Sequence, residues 1–252
     1  MKFIRNPNLP QSDVGLAAVS RTYPELLGAL HRLGIKTVEI GPDARLDAFV
    51  SSHADMLCHH LGDRKIVCAR GNPEISEALA GYGFDVMESI ICIHQPYPAD
   101  IALNALRVGE KLIARRAGLD ETIARYCANR GITVIPVRQG YAKCSAAAVD
   151  SKSILTADEG IARAGMQAGL CVLKIRPGFI RLDGCGYGFI GGTCGMIGKR
   201  TIAFTGKIES HPDGPKIKGF LGQRGIRIVE LLDSPLIDVG GILPLKERET
   251  GT

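Results

Sequence analysis

One pattern recurs five times along this 252-residue chain and limits the folds open to it. A short helical segment ends at a glycine and an apolar strand follows at once, in HRLGIKTVEI, AGYGFDVMES, ANRGITVIPV, MQAGLCVLKI and GQRGIRIVEL. The glycines are Gly34, Gly83, Gly131, Gly169 and Gly225. Leu26, Ile75, Ile123, Ile161 and Ile217 stand eight residues before them, and Ile35, Phe84, Ile132, Leu170 and Ile226 stand one residue after. Each glycine fits the position just past a helix end, where a left-handed conformation carries no Cβ clash. Thr22 with Glu25 fits a capping box, Asn72 and Asp120 fit N-caps, and Pro24 and Pro73 suit a first helical turn. Each copy thus reads as helix, glycine stop, buried strand.

Successive glycines lie 49, 48, 38 and 56 residues apart, which leaves room for two more strands per copy. SHADMLCHHLGDRKIVCA, YPADIALNALRVGEKLIAR and GYAKCSAAAVDSKSILTA align as a second strand, a turn and a third strand. The fourth copy matches with IRLDGCGYGFIGG, an insertion around GTCGMIG, and KRTIAFTG; the fifth has only LIDVGGILPL. Its missing third strand is supplied by GLAAVSRTYPE from the N-terminus, so strands from both termini close a ring and remove exposed edges. The expected architecture is α/β: a five-bladed α/β-propeller, one domain over residues 1–252. A doubly wound α/β domain shares the helix-to-strand alternation but predicts no likeness among second strands.

Composition narrows the partners. The 31 basic and 26 acidic residues give a net charge of +5 with no long basic run, and aromatic residues make up 5% with no Trp. Neither a phosphate-tracking stripe nor a base-stacking surface is expected, so nucleic acid is not an expected partner. No apolar run reaches the roughly 18 residues of a membrane span, and MKFIRNPNLP lacks the apolar core of a signal peptide. The expectation is a soluble, cytoplasmic protein with no membrane partner. Eight cysteines without a CxxC pair read as reduced thiols, with Cys68, Cys92, Cys127 and Cys171 expected in the core.

Superposing the second strands puts Asp55, Asp100, Asp183 and Asp238 at one position, with Lys143 there in the third copy. Strand alternation adds His53, Leu57 and His59 beside Asp55, Asn104 beside Asp100, Tyr141 and Ser145 beside Lys143, and Cys185 and Tyr187 beside Asp183. Buried carboxylates need cations, shared protons or amide donors. Either a small cationic, guanidino- or amine-bearing ligand completes this acidic centre, or the carboxylates tie the blades together through backbone amides. Expected ligand contacts are Asp55, Asp100, Asn104, Tyr141, Lys143, Asp183, Tyr187 and Asp238. Cys144 and Cys185, with Cys194 behind them, are the candidate nucleophiles, and His53 or His59 the candidate bases. Alternation splits His53, Asp55 and His59 from Cys58 and His60, and no zinc-finger or HExxH spacing occurs, so neither metal nor cofactor is expected.

The strings HADMLCHHLGD, ADIALN, QGYAKCS, RLDGCGYGFIGG, FTGKIESHPD and DVGGILPL, which cover most of the chain, resemble an uncharacterised family of the pentein fold. This is the α/β-propeller of guanidino-modifying enzymes. The resemblance implies a central polar pocket, and in the enzymes a cysteine attacks a guanidinium carbon while histidine and carboxylates assist. Their cysteine follows a glycine-rich stretch near the C-terminus; the comparable stretch here is Gly240, Gly241, Ile242, Leu243, Pro244, with no cysteine after Cys194. Their histidine belongs to the third unit, which here reads Tyr141, Ala142, Lys143, Cys144. His53 with Asp55 and His211 with Asp213 form HxD patterns, but in different units. Three functions follow as expectations: a binding protein for a small cation, a divergent guanidino-modifying hydrolase or transferase with a relocated cysteine, or a protein-interaction ring like the pentein that binds ribosomal subunits.

Overall fold

The five glycines end their helices as the repeat requires. In the computed structural model, which describes residues 1–249, Gly34, Gly83, Gly131, Gly169 and Gly225 have φ of 73°, 82°, 68°, 78° and 63°. They close helices Pro24–Arg32, Pro73–Gly81, Glu121–Asn129, Glu159–Gln167 and Gly214–Gly222. Each glycine N–H and the N–H after it turn back onto the last helical carbonyls; Gly131 donates to Ala128 and Ile132 to Cys127, for example. That is the Schellman arrangement, made five times. Residues 250–252, the end of the single domain read from the sequence, lie outside the described residues.

Asn72 and Asp120 cap their helices by accepting from Ile75 N and Thr122 N, and Asp158 does the same for Ile161 N. The capping box expected at Thr22 and Glu25 does not form. Tyr23 occupies the cap position, and the Thr22 hydroxyl is drawn instead to Ser20 and Ser52.

The strands form five small sheets. In the first blade, Cys58–Gly62 and Lys65–Cys68 make an antiparallel hairpin; helix Pro73–Gly81 then crosses over and Asp85–Glu88 joins Lys65–Cys68 in parallel. The second (106–136), third (146–174) and fourth (194–230) blades repeat this order. The fifth pairs C-terminal Leu243–Glu247 with N-terminal Val14–Ser20 and Lys36–Ile40, and Lys2–Phe3 adds a short edge. Both chain ends thus close the five-bladed α/β propeller.

Two expectations are corrected. The strand after each glycine is the outermost of its blade and only partly buried, as in Asp85–Glu88 and Cys171–Lys174. It has a ladder partner on one edge only; the middle strand, KIVC or TIAF for instance, is the buried one. Cys68 and Cys127 lie in the core, whereas Cys92 and Cys171 are exposed.

Alanine substitutions separate backbone strain from packing. An ideal Cβ at Gly131 or at Gly219 meets nothing within 4 Å, but only Gly131 has positive φ. Gly131→Ala should therefore cost about 1 kcal/mol, and Gly219→Ala, inside a helix and exposed, should gain about 0.5–1 kcal/mol. Urea unfolding of the two variants checks the opposite signs.

Candidate functional site

The segments that reach the propeller axis are single turns rather than strands. Ala54–Leu57 and Ala142–Ser145 are one-turn helices, Ile190–Thr193 is a 3₁₀ turn, and residues 100–105 and 238–242 lie outside any helix or strand. The period-two alternation of the sequence reading therefore fails here, and adjacent residues such as Lys143 and Cys144 both point inward. Glycine makes the close packing possible. A Cβ on Gly192 would lie 1.7 Å from Asp238 Oδ1, one on Gly191 2.1 Å from the Lys143 carbonyl, and one on Gly240 2.4 Å from His53 Cβ.

Hydrogen bonds join the five turns in a closed circle. Asn104 Nδ2 donates to the Asp55 carbonyl (3.1 Å), and Asn104 Oδ1 accepts from the amides of Lys143 (2.8 Å) and Cys144 (3.3 Å). Lys143 Nζ donates to the Gly191 carbonyl (3.1 Å), and the amides of Val239 and Gly241 both donate to that of Gly192 (2.9 Å). Asp55 N closes the circle on the Gly240 carbonyl (3.4 Å).

Inside the circle, the Cys144 thiol lies 3.2 and 3.1 Å from the two oxygens of Asp55 and accepts from Asn104 Nδ2 at 3.0 Å. Asp238 accepts from Phe189 N (2.8 Å) and Gly240 N (3.0 Å), and its Oδ1 stands 3.8 Å from His53 Nδ1. Neither ring nitrogen of His53 has a hydrogen-bond partner among the described residues, although the side chain is buried. Burial pushes the Asp55 carboxyl up to about 6 against the pull of Lys143 and His53. Burial, then Asp55, raise the Cys144 thiol well above its ordinary value, so it rests as a neutral donor.

Above this floor opens a cavity of about 270 Å³, with Phe49, Tyr141, Tyr187 and Phe189 as walls and His53, Cys144 and Asp238 below. Tyr97, Tyr141, Phe189 and Tyr187 form an arc with successive ring centroids 5.2, 6.3 and 5.9 Å apart. On the opposite side of Asp55 and Lys143, a void of about 20 Å³ is closed by Pro7 and Asn8, enough for one water.

Of the expected contacts, the structure brings Asp55, Asn104, Lys143 and Asp238 to the axis, with Tyr141 and Tyr187 in the pocket wall. Asp183 is not among them; it is exposed, 2.6 Å from Arg181, because the segment carrying it runs outward before returning at Phe189. Asp100 is buried but takes no part in the circle; it accepts instead from the Tyr141 hydroxyl at 2.6 Å. His59 is buried with Nδ1 donating to the Leu103 carbonyl and is held down near 4 by burial; it lines the small void and not the pocket of Cys144. Cys185 is an exposed rim residue. His211 and Asp213 belong to a separate cluster, Asp213 being paired with Arg176 and Lys216. No metal cluster was expected, yet Cys144 of the third blade joins His53 and Asp55, and their ligand atoms lie within 4.8 Å of one another. The sequence reading missed Phe49 and Phe189 as walls; only Phe189 carried a signal, two residues beyond Tyr187 in the glycine-rich segment.

The five closed blades around the axis are the pentein fold, the α/β propeller found in guanidino-modifying enzymes. Similar solved structures include DDAH from Pseudomonas aeruginosa complexed with citrulline, 12% identical with a TM-score of 0.56 over 88% of this chain and 92% of that one. An amidinotransferase from Microseira wollei in the saxitoxin biosynthetic pathway is 10% identical, TM-score 0.56, over 98% of both chains. Agmatine deiminase from C. jejuni is 10% identical, TM-score 0.54, over 97% and 98%. At these identities the likeness is one of fold. Residues 18–243 match DUF6873, a family of unknown function, and the chain belongs to that family. No curated protein matches it.

The raised Asp55 group has a measurable sign. Its folded value of about 6 exceeds the unfolded 3.8, so between these pH values the folded state holds more protons and Asp55 costs increasing stability as pH rises. In Asp55→Asn that cost is absent. Denaturant unfolding should show the variant gaining on wild type from about pH 4 to 6 and levelling off above; a difference flat across this range contradicts the assignment.

Proposed function

We propose that this protein binds a small organic cation bearing a guanidino, amidino or amine head. The observation that carries the reading is the pocket itself: four aromatic walls above a buried floor that presents Asp238, with Asp55 beneath. Aromatic faces attract a desolvated cation, and two carboxylates against the one Lys143 ammonium leave the floor one positive charge short of neutral when both are ionised. The volume, about 270 Å³, lies just below the usual range of about 300–1,000 Å³ for ligand pockets and suits a small metabolite. The relatives of known fold are hydrolases and transferases whose names point to guanidino chemistry, which supports the same ligand class. The C-terminal corner where the resemblance places their cysteine holds Gly240, and its contact with His53 leaves no room for a side chain.

A second reading is favoured by Cys144 alone. It is the one cysteine on the pocket floor, against Asp55 and near His53, and it would serve as nucleophile after passing its proton to either. Wild-type turnover of a guanidino compound, lost in Cys144→Ser, would establish that reading; absence of turnover across such compounds removes it.

In chelator-containing buffer, a thermal-shift panel of guanidines, amidines and amines should stabilise the protein increasingly with ligand excess, by about 2.7 kcal/mol at a hundredfold excess over Kd. Neutral ureas of the same shape should not. Tyr187→Ala, at an exposed wall position, should weaken binding about 2- to 30-fold while leaving the unliganded melting temperature in place. A flat response to the whole panel overturns the proposal.

A further inference from the structure

Beyond organic-cation binding, we propose that His53, Asp55 and Cys144 form a binding site for one thiophilic divalent metal ion of the zinc class, with a fourth coordination position open to the aromatic pocket.

The donor set is one nitrogen, one carboxylate and one sulfur, all within 4.8 Å of one another. Imidazole and thiolate together select zinc-like ions over magnesium or calcium. Cys144 Sγ stands 3.1–3.2 Å from the Asp55 oxygens. Tetrahedral zinc with bonds of about 2.3 Å to sulfur and 2.0 Å to oxygen sets that separation at about 3.5 Å, so a shift of a few tenths of an ångström accommodates the ion on this edge.

His53 supplies the second, independent observation. Its side chain is 2% exposed, and neither ring nitrogen has a hydrogen-bond partner among the described residues. An unsatisfied buried imidazole is costly; a metal on one nitrogen and a carboxylate on the other satisfy both. Asp238 Oδ1 stands 3.8 Å from Nδ1, so a shift of about 0.8 Å brings it to hydrogen-bond distance for the second role, and it is itself held by the Phe189 and Gly240 amides. Metal-bound histidines are commonly oriented by such a carboxylate.

Charge closes as well. On binding, the Cys144 proton leaves to solvent; the thiolate, Asp55 and Asp238 then carry three negative charges against the dication and the Lys143 ammonium. A neutral floor no longer attracts an organic cation, so metal and organic cation should antagonise each other.

Cobalt(II) titration of the metal-free protein, with no organic ligand present, tests the site. Expected is one equivalent bound with a thiolate-to-cobalt charge-transfer band and the strong visible bands of four-coordinate cobalt. Cys144→Ser should abolish the charge-transfer band, and His53→Ala should weaken binding at least the roughly 10- to 100-fold that losing a ligand's outer hydrogen-bonding partner costs. Should either variant fail to fold, zinc-edge X-ray absorption of the wild-type protein decides: one sulfur with nitrogen and oxygen neighbours supports the site. No charge-transfer band in wild type, a band unchanged in folded Cys144→Ser, or a zinc shell with no sulfur or several overturns it. Cobalt binding without response to organic cations sustains the metal site and removes the organic-cation reading; the reverse pattern does the opposite.

Discussion

The circle of hydrogen bonds around the axis is the constraint on which the rest of the structure depends. Five blades that meet at a point bring five sets of backbone polar groups out of water, and each must find a partner. The chain answers with short turns whose amides and carbonyls face neighbouring blades: Asn104 reaches Asp55 and the Lys143 amide, Lys143 reaches Gly191, Gly241 reaches Gly192, and Asp55 returns to Gly240. Glycine at 191, 192 and 240 follows from the same requirement, since any Cβ there would stand inside its neighbour. The termini must also pair, because without Val14–Ser20 against Leu243–Glu247 the fifth blade would lack its middle strand.

That circle accounts for the character of the site. Satisfying the backbone does not satisfy every side chain it encloses. Asp238 is held by two amides and Asp55 receives the Cys144 thiol, but His53 remains without a hydrogen-bond partner among the described residues. The proposed ligand binding rests on this residual hydrogen-bonding capacity in a buried floor roofed by aromatic rings. The same fold serves hydrolases and amidinotransferases among the similar structures, and fold alone does not carry their chemistry to this chain; its axial residues do the deciding.

The fold was legible because its signals are local. A glycine after each helix, an aliphatic residue eight positions earlier and a hairpin between copies are read within about fifty residues, and the Schellman closures show why those glycines recur. The site was legible in part. Asp55, Asn104, Lys143 and Asp238 were found by superposing the copies, but the superposition assumed strands where the chain makes turns. Period two therefore points Cys144 away from Lys143 and the superposition brings Asp183 inward, whereas a helical turn brings Cys144 onto Asp55 and Asp183 is exposed and paired with Arg181. The His53, Asp55 and Cys144 cluster spans two blades, and no spacing within one blade could reveal it.

The central claim is that the five axial turns build a single ligand-receiving floor. A crystal structure of the protein soaked with guanidinium tests it most directly. The account predicts density for the planar cation in the pocket, against Asp238 and between the Tyr141 and Phe189 rings, with the circle from Asp55 through Asn104, Lys143 and Gly192 to Gly240 intact. An empty pocket at saturating guanidinium, or Asp55 and Asp238 turned away from the axis, would contradict it.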